Sequence, residues 1–388
     1  MMPRVSDNSY GGFEQGPIRP PSEADSLLIR VTRNCPWNKC TFCPVYKGAK
    51  FSARTVADVK HDIDTVYRYV ESLQELADES GRVEQHQIDK LVENAVPKDA
   101  QALTAAFNWV FGGGMKSVFL QDANSLVLKP ADLVEILTHL RQRFPGIERI
   151  TSYARSQTIA RRSAADLRAI REAGLNRLHI GLESGCDEVL KAVQKGCTKQ
   201  IHIDAGRKAI AAGFELSEYY MPGLGGTELS EQHALESADA LSRIDPHFIR
   251  LRTLAIPHGA PLADEQHAGR FKQCTDVEVA HELLIFIENL DGIRSSVQSD
   301  HILNLFGDLE GVLPDDKPAM LKILRTFLDM TPQWQCLYQV GRRLGILSSI
   351  HDLDDTHRLK LVELQCRQLG ITPDNVDEIT TELARRYI

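Results

Sequence analysis

The sequence predicts an α/β fold, a partial or open (β/α)6 TIM-like barrel followed by a helical carboxyl-terminal domain. Three observations predict it. Short β-rich runs alternate with amphipathic helical stretches six times in succession, and strand–helix–strand units of this kind form right-handed parallel crossovers. Twice a helix ends on glycine and leads straight into a strand, "REAG" into "LNRLHIGLESG" and "AIAAG" into "FELSEYYMPGLGG", glycine being the residue that stops a helix in the left-handed conformation. From about residue 295 the strand patterns fade while helical ones continue.

The elements follow in order. "SLLIRVT" (26–32) is a buried-strand pattern, and a cysteine-rich loop comes directly after it. Val56, Val59, Ile63, Val66, Val70 and Leu73 recur at three- and four-residue steps, one face of a helix. Residues 81–111 continue as helix, which makes the first crossover unusually long. "KSVFLQDAN" is the second strand, and "PADLVEILTHLRQRFPG" is a helix opened by Pro130 and closed before Pro145 and Gly146. "IERITSYAR" is the third strand, followed by a helix that Ser163 caps with Asp166 three residues on. The fourth and fifth strands are those of the two glycine hand-overs, and a helix over 229–243 leads to the sixth, "HFIRLRTLAIP". The expected organisation is a flexible arm over 1–25, rich in Gly and Pro, a barrel over 26–294 with a long helical insertion at about 56–111, and a helical cap over 295–388.

Composition sets the class. The 388 residues are ample for one large core. With 43% hydrophobic and 25% charged residues, the chain reads as an ordinary globular protein with no membrane span and no apolar export signal, so the cytoplasm is expected. There thiols stay reduced, and a tight cysteine group signals metal rather than disulfide. A net charge of −8 argues against a broad nucleic-acid surface.

Cys35, Cys40 and Cys43 stand within nine positions of "TRNCPWNKCTFCPVYKG". Three metal readings compete. Structural zinc takes four ligands, usually two close pairs, and Cys186, Cys197, Cys274, Cys336 and Cys366 supply no second pair. The C-x4-C-x2-C spacing also fits a plant-type [2Fe–2S] ferredoxin with a distant fourth cysteine, but here the loop opens a strand–helix array rather than a small module. A [4Fe–4S] cluster held by three thiolates leaves one iron open to bind something that reacts.

This loop resembles that of the radical S-adenosylmethionine (SAM) superfamily, in a C-x4-C-x2-C variant of the commoner C-x3-C-x2-C, with Phe42 at the aromatic position before the last cysteine. "LNRLHIGLESGCDEVLKAVQKGCTKQ", "AIAAGFELSEYYMPGLGG" and "RTLAIPHGAPL" are similar to the fourth, fifth and sixth strands of the branch that includes the Elp3-like, MiaB-like and HemN-like enzymes, so the resemblance covers roughly residues 26–262. It implies a [4Fe–4S] cluster and SAM as cofactors. One electron from the cluster cleaves SAM to methionine and a 5′-deoxyadenosyl radical, which abstracts hydrogen from substrate. Cys35, Cys40 and Cys43 become the cluster ligands.

Barrel enzymes place their chemistry at the carboxyl ends of strands. After strand two stand Gln121, Asp122 and Asn124, with Asp122 an acceptor for the SAM ammonium. Strand three ends in Ser152, Tyr153 and Arg155, the arginine suited to hold the methionyl carboxylate. Glu183 and Ser184, ending strand four in "GLESG", match family positions near the SAM ribose or amino acid. Met221, Pro222 and Gly223 bring backbone close to adenine. Cys186, Tyr220 and Arg252 are candidates for catalysis or substrate contact. "GGGMKS" (112–117) lacks the glycine before Lys116 and precedes a strand, so it is no phosphate loop; His258, His267, His281 and His301 show no ligand spacing.

Between Arg33 and Ala57 there are five bases (Arg33, Lys39, Lys47, Lys50, Arg54) and no acid, which suits docking of an acidic low-potential donor such as a flavodoxin or ferredoxin. No extra amino-terminal cysteines of a methylthiotransferase, no auxiliary-cluster array and no cobalamin D-x-H-x-x-G signature are present. The expected activity is hydrogen abstraction from a small molecule. The alternatives are a tRNA-modifying radical enzyme and a non-catalytic iron–sulfur electron carrier.

Overall fold

Buried Leu27 and Ile29 alternate with half-buried Leu28 and Arg30, and this period-two pattern makes the first strand, β1 (Leu27–Arg30). In the computed structural model, residues 10–78 and 81–385 are described; the first nine residues of the expected arm and the last three of the expected cap lie outside them. The chain divides into two compact units, one comprising residues 1–36, 49–154 and 163–178, the other 37–48, 155–162 and 179–388.

In the first unit β1 pairs in parallel with β2 (Ser117–Gln121), in register Leu27 to Val118, and β2 pairs in parallel with β3 (Arg149–Ala154), in register Ser117 to Arg149. All five residues of β2 are buried, as a central parallel strand covered on both faces requires. The helix Val56–Leu76 starts where the Thr55 side chain accepts from the Asp58 amide, and it turns Val59, Ile63, Val66, Val70 and Leu73 inward. The expected insertion contains two more helices, Gln85–Asn94 and Ala100–Phe111, separated by a short turn at Pro97. Pro130–Arg143 and Ala164–Glu172 complete this unit's helices among the described residues, the latter capped by Ser163, whose Oγ accepts from the Asp166 amide at 3.0 Å.

Residues 10–25, expected as a flexible arm, are fastened to the first unit. The Gln121 carboxamide accepts from the Gly16 amide at 2.8 Å and donates to the Ile18 carbonyl at 2.8 Å. Phe13 is buried, and the Tyr10 hydroxyl donates to Asp62 at 2.6 Å.

β4 (Arg177–Glu183) passes into the second unit at His179. There the Met221 amide, just beyond β5 (Glu215–Tyr220), donates to the Glu183 carbonyl at 3.0 Å. β5 pairs in parallel with β6 (Phe248–Leu251), in register Tyr220 to Leu251. Two further strands follow that the sequence reading does not foresee. β7 (Ser296–Gln298) is parallel to β6, and β8 (Gly311–Val312) is antiparallel to β7. The helices Lys199–Ala211, Gly226–Ile244 and Asp276–Asn289 cover these strands with Ala209, Ala238, Leu241, Leu283 and Phe286, all buried. Beyond β8, among the described residues, come four α-helices, Lys317–Leu328, Pro332–Arg343, Thr356–Leu369 and Val376–Arg385, with a short 3-10 turn at Ile350–Asp354.

The fold class is thus α/β with a mostly parallel sheet, the arrangement of a partial TIM-like barrel followed by helices. Among the described residues no helix is long and apolar enough to cross a membrane.

Candidate active site

The cysteine loop leaves β1 through the short antiparallel pair Thr32–Arg33 and Ser52–Ala53. In the first unit its start is fixed by Asp122, which is fully buried at the carboxyl end of β2. Asp122 Oδ2 accepts from the Asn34 amide, next to Cys35, at 3.1 Å and from Arg30 Nη2 at 2.8 Å. Asn34 has φ 67°, a left-handed conformation that asparagine tolerates better than most residues. A buried carboxylate therefore holds the backbone that presents the first cysteine.

Two other predicted groups of this unit are committed elsewhere. Gln121 holds residues 16–18, and the Ser152 hydroxyl donates to the Leu120 carbonyl at 3.3 Å. Glu14 gathers Arg33 at 2.6 Å, Arg54 at 2.8 Å and Arg30 at 3.2 Å. Its carboxyl is held below the usual range: burial pushes it up, and the three guanidiniums outweigh burial.

The second unit fixes the rest of the loop. Trp37 Nε1 donates to the Gln194 carbonyl at 2.7 Å, the Thr41 amide donates to the Val193 carbonyl at 3.0 Å, and the Leu262 amide donates to the Thr41 carbonyl at 2.9 Å. Arg155 lies over the Trp37 ring at 4.9 Å and donates to the Lys195 carbonyl at 2.7 Å. Gly196, at φ 74°, is bare because a Cβ there would stand 2.3 Å from the Trp37 ring. Phe42 packs on an apolar cluster that includes Cys186, Val193, Met221 and Leu262, so the residue before the last cysteine rests on the floor formed by the segment after β5.

Glu183 ends β4 at φ 63°, a conformation that costs a non-glycine residue about 1–2 kcal/mol and concentrates at functional sites. One carboxylate oxygen meets Lys195 Nζ at 3.1 Å; the other is buried with no partner. The Lys195 ammonium lies 5.7 Å from the Phe42 ring centroid. Burial works against its charge, but Glu183 first, then Cys40 and Cys197, hold its pKa above the ordinary lysine value. Next to it, His202 bridges Ser156 (2.7 Å to Nδ1) and Cys197 (3.0 Å from Nε2). Burial drives His202 down to about 3 and Cys197 up to about 11, so imidazole and thiol are both neutral at pH 7.

The remaining predicted residues fall apart into distinct roles. Ser184 is fully buried; its hydroxyl meets His233 Nδ1 at 2.8 Å and accepts from the Cys186 amide at 2.9 Å, which makes it a turn-former. Cys186 is a buried thiol in the apolar cluster. Tyr220 is fully buried, stacked on Phe286 at 4.0 Å, and its hydroxyl donates to Glu282, which also accepts from the Gly223 amide; both contacts are 2.8 Å. Arg252 is exposed. Contacts link Trp37 to Arg155, Arg155 to Lys195, and Lys195 to Phe42 and Glu183, while Tyr220 and Gly223 both bond Glu282 in the helix-facing core. Sequence reading missed Trp37, Lys195, Gly196 and His233; a lysine followed by glycine and cysteine in "VQKGC" was the available signal for two of them.

The donor set bears on which metal fits. All eight cysteines lie among the described residues as thiols, outside disulfides, with Cys35, Cys40 and Cys43 half-exposed. Among the described residues no three His, Cys, Asp or Glu side chains converge as the ligands of a single ion do. Thiolates that cap different corners of a cubane stand apart. A loop that offers three thiols suits a [4Fe–4S] cluster with one open iron better than it suits four-ligand structural zinc.

A family model described as the radical SAM superfamily matches residues 29–238. No curated protein gives a significant match. Among solved structures the chain is similar to methylornithine synthase (PylB), at 17% identity over 69% of this chain and 63% of that one, TM-score 0.42. It is also similar to coproporphyrinogen III oxidase (HemN) from Escherichia coli, at 15% identity over 68% and 52%, TM-score 0.44. A third is Elp3 from the archaeon Methanocaldococcus infernus, at 15% identity over 56% and 52%, TM-score 0.38. The chain thus covers less than two thirds of the length of each of these structures. With more than half of its length matched by the family model, the cysteine loop included, the chain belongs to the radical SAM superfamily, whose enzymes use a [4Fe–4S] cluster and SAM.

Proposed function

We propose that this protein reductively cleaves SAM at a [4Fe–4S] cluster held by Cys35, Cys40 and Cys43 and uses the resulting radical to take hydrogen from a small-molecule substrate. The observation that carries the reading is the three-thiol loop with anchored residues before and between its cysteines: Asn34 by Asp122, Trp37 by Gln194 and Arg155, Thr41 by Val193. When bound, the cluster supplies one electron to SAM, and the cleaved SAM supplies a carbon radical. This chain's residues bind and orient. Asp122 sets the first cysteine, and Phe42 and Met221 offer an apolar seat for adenine. Arg155 and Glu183 face the amino-acid end of SAM, with Lys195 bonded to one Glu183 oxygen at 3.1 Å. Residues 295–388, dominated by helices, serve as a cap that shapes the substrate side.

Anaerobic protein reconstituted with iron and sulfide, given dithionite and SAM, is expected to form 5′-deoxyadenosine. Cys40→Ala is expected to reduce that product to background and to lower bound iron. Zinc in place of iron in protein purified without oxygen defeats the reading. The net charge of −8 favours a small substrate over RNA, and thiols that must stay reduced favour the cytoplasm.

The physiological reductant is an acidic flavodoxin or ferredoxin. Two of the five bases near the loop are spoken for, Arg33 by Glu14 and Arg54 by Glu14 and Asp62, which leaves Lys39, Lys47 and Lys50 to carry the attraction. Reversing Lys47 and Lys50 to glutamate is expected to slow donor-dependent turnover about tenfold at low salt, the gap closing as salt rises. Unchanged rates and salt dependence remove the docking role.

A further inference from the structure

We propose that His233 and Glu282 are positioning residues: within the second unit they brace the two turns, after β4 and after β5, that the proposed reaction gives to SAM. The proposal rests on that reading of Glu183 and Met221. His233 lies in the helix Gly226–Ile244 and is fully buried. Its Nε2 stands 3.0 Å from the Met221 carbonyl oxygen, and its Nδ1 stands 2.8 Å from the Ser184 hydroxyl. A carbonyl only accepts, so Nε2 carries hydrogen and Nδ1 is left to accept from Ser184. Ser184 in turn accepts from the Cys186 amide at 2.9 Å. A directed chain therefore runs from the turn after β4 through one imidazole to the turn after β5.

Glu282 holds the second turn from another helix, Asp276–Asn289. It is fully buried and accepts from the Tyr220 hydroxyl and the Gly223 amide, both at 2.8 Å, and from the Ser230 hydroxyl at 2.6 Å. Tyr220 and Gly223 flank Met221 and Pro222, so the turn is pinned at both ends. None of the side-chain atoms of Ser184, Tyr220, Ser230, His233 or Glu282 is buried without a partner. Buried polar networks matched in this way rigidify a structure and specify one arrangement, which apolar packing does less sharply. There is strain here to be held. Glu183 sits at φ 63°, its carbonyl accepts from the Met221 amide at 3.0 Å, and Ser184 follows it in the chain. A left-handed glutamate persists only where its surroundings over-determine it, and the chain through His233 supplies that constraint. Phe42, the neighbour of Cys43, packs on the apolar cluster that includes Cys186 and Met221, so the same brace supports the cysteine loop.

The test uses the full chain, anaerobic and cluster-loaded, with SAM titrated against the electron paramagnetic resonance signal of the dithionite-reduced cluster. His233→Leu is expected to weaken SAM binding about tenfold or more while bound iron stays at the parent level. His233→Gln, whose amide nitrogen and oxygen can stand in for the two ring nitrogens, is expected to stay within about threefold of the parent. Ser184→Ala and Glu282→Gln each break one arm of the brace and are expected to weaken binding about threefold to tenfold, which keeps the test decisive if His233→Leu does not fold. Tyr338→Phe is the control for lost stability alone: the hydroxyl it removes is buried and donates to the Leu305 carbonyl at 3.3 Å, and the variant is expected to lower Tm without changing SAM affinity. The proposal is overturned if Ser184→Ala and Glu282→Gln bind SAM as the parent does, if His233→Gln fares no better than His233→Leu, or if Tyr338→Phe weakens SAM equally. A readout that needs no SAM is the nitrogen-15 spectrum of histidine-labelled protein, expected to show His233 protonated at Nε2 and shifted in Ser184→Ala; protonation at Nδ1 alone breaks the chain and overturns the proposal too. A parent protein that neither binds SAM nor forms 5′-deoxyadenosine strikes the functional reading, and the histidine spectrum still decides the brace.

Discussion

Arg54→Ala is expected to lower the stability of the protein by about 3–5 kcal/mol, read from urea or guanidinium unfolding under anaerobic conditions. The Arg54 side chain is 1% exposed and pairs with Asp62, itself fully buried, and with Glu14 at 2.8 Å, while donating to the Arg30 carbonyl at 3.0 Å. Removing it strands a buried carboxylate, and stranding one partner costs far more than the pair is worth intact. The pH dependence has two opposing parts. Glu14, held low, contributes stability that is present above its unfolded pKa and lost as pH falls through its folded value. Asp62 behaves oppositely: burial outweighs Arg54 and lifts its pKa, so its share is full at low pH and lost as pH rises through the folded value. Arg54→Ala deepens the second loss, and its penalty is therefore expected to shrink toward acid pH. A variant with parental stability means that water already reaches this cluster.

Gly196→Ala is expected to cost about 2–4 kcal/mol, the sum of a left-handed backbone penalty and an overpacking penalty. It is also expected to lower the iron retained after reconstitution. Its added carbon would stand 2.3 Å from the Trp37 ring, and Trp37 is the part of the cysteine loop gripped by Arg155 and the Gln194 carbonyl. Gly48→Ala is the control: it lies at the end of the cysteine loop, in the same unit, at φ 76° with nothing within 4 Å, so only the backbone penalty of about 1 kcal/mol applies. Equal iron contents in the two variants separate the Trp37 contact from cluster retention.

The repeating architecture was legible because it is written in periodicity. The first six strands fall inside the runs read for them, and the helix Val56–Leu76 buries the stripe that its spacing marks apart from Val56, which is half-buried. β7 and β8 were not legible, since "SVQ" and "GV" are too short to show alternation, and pairing with β6 and β8 is what makes β7 a strand. Residues 10–25 look loose by composition, yet Gln121 and Asp62, more than 35 residues distant along the chain, tie them down. The site divides the same way. Three cysteines and an aromatic form a local pattern and were found at once. His233, Lys195 and Trp37 acquire meaning only from what the fold brings near them, and a histidine in mid-helix looks like any solvent-facing polar residue until its burial is known. Ser184 and Tyr220 show the converse, motif positions whose hydroxyls are taken up by His233 and Glu282.

The fastening of residues 10–25 has a practical side for anyone shortening the protein at its amino end. Deleting the segment as a dispensable tail would take away Glu14, the shared counter-ion of Arg30, Arg33 and Arg54, and the main-chain groups that satisfy the Gln121 carboxamide. Trimming ahead of Tyr10 spares every one of these bonds, whereas trimming to the start of β1 takes the carboxylate partner from Arg33, leaves Arg30 only Asp122 and Arg54 only Asp62, and strips the Gln121 carboxamide of its main-chain partners, an invitation to clumping during purification.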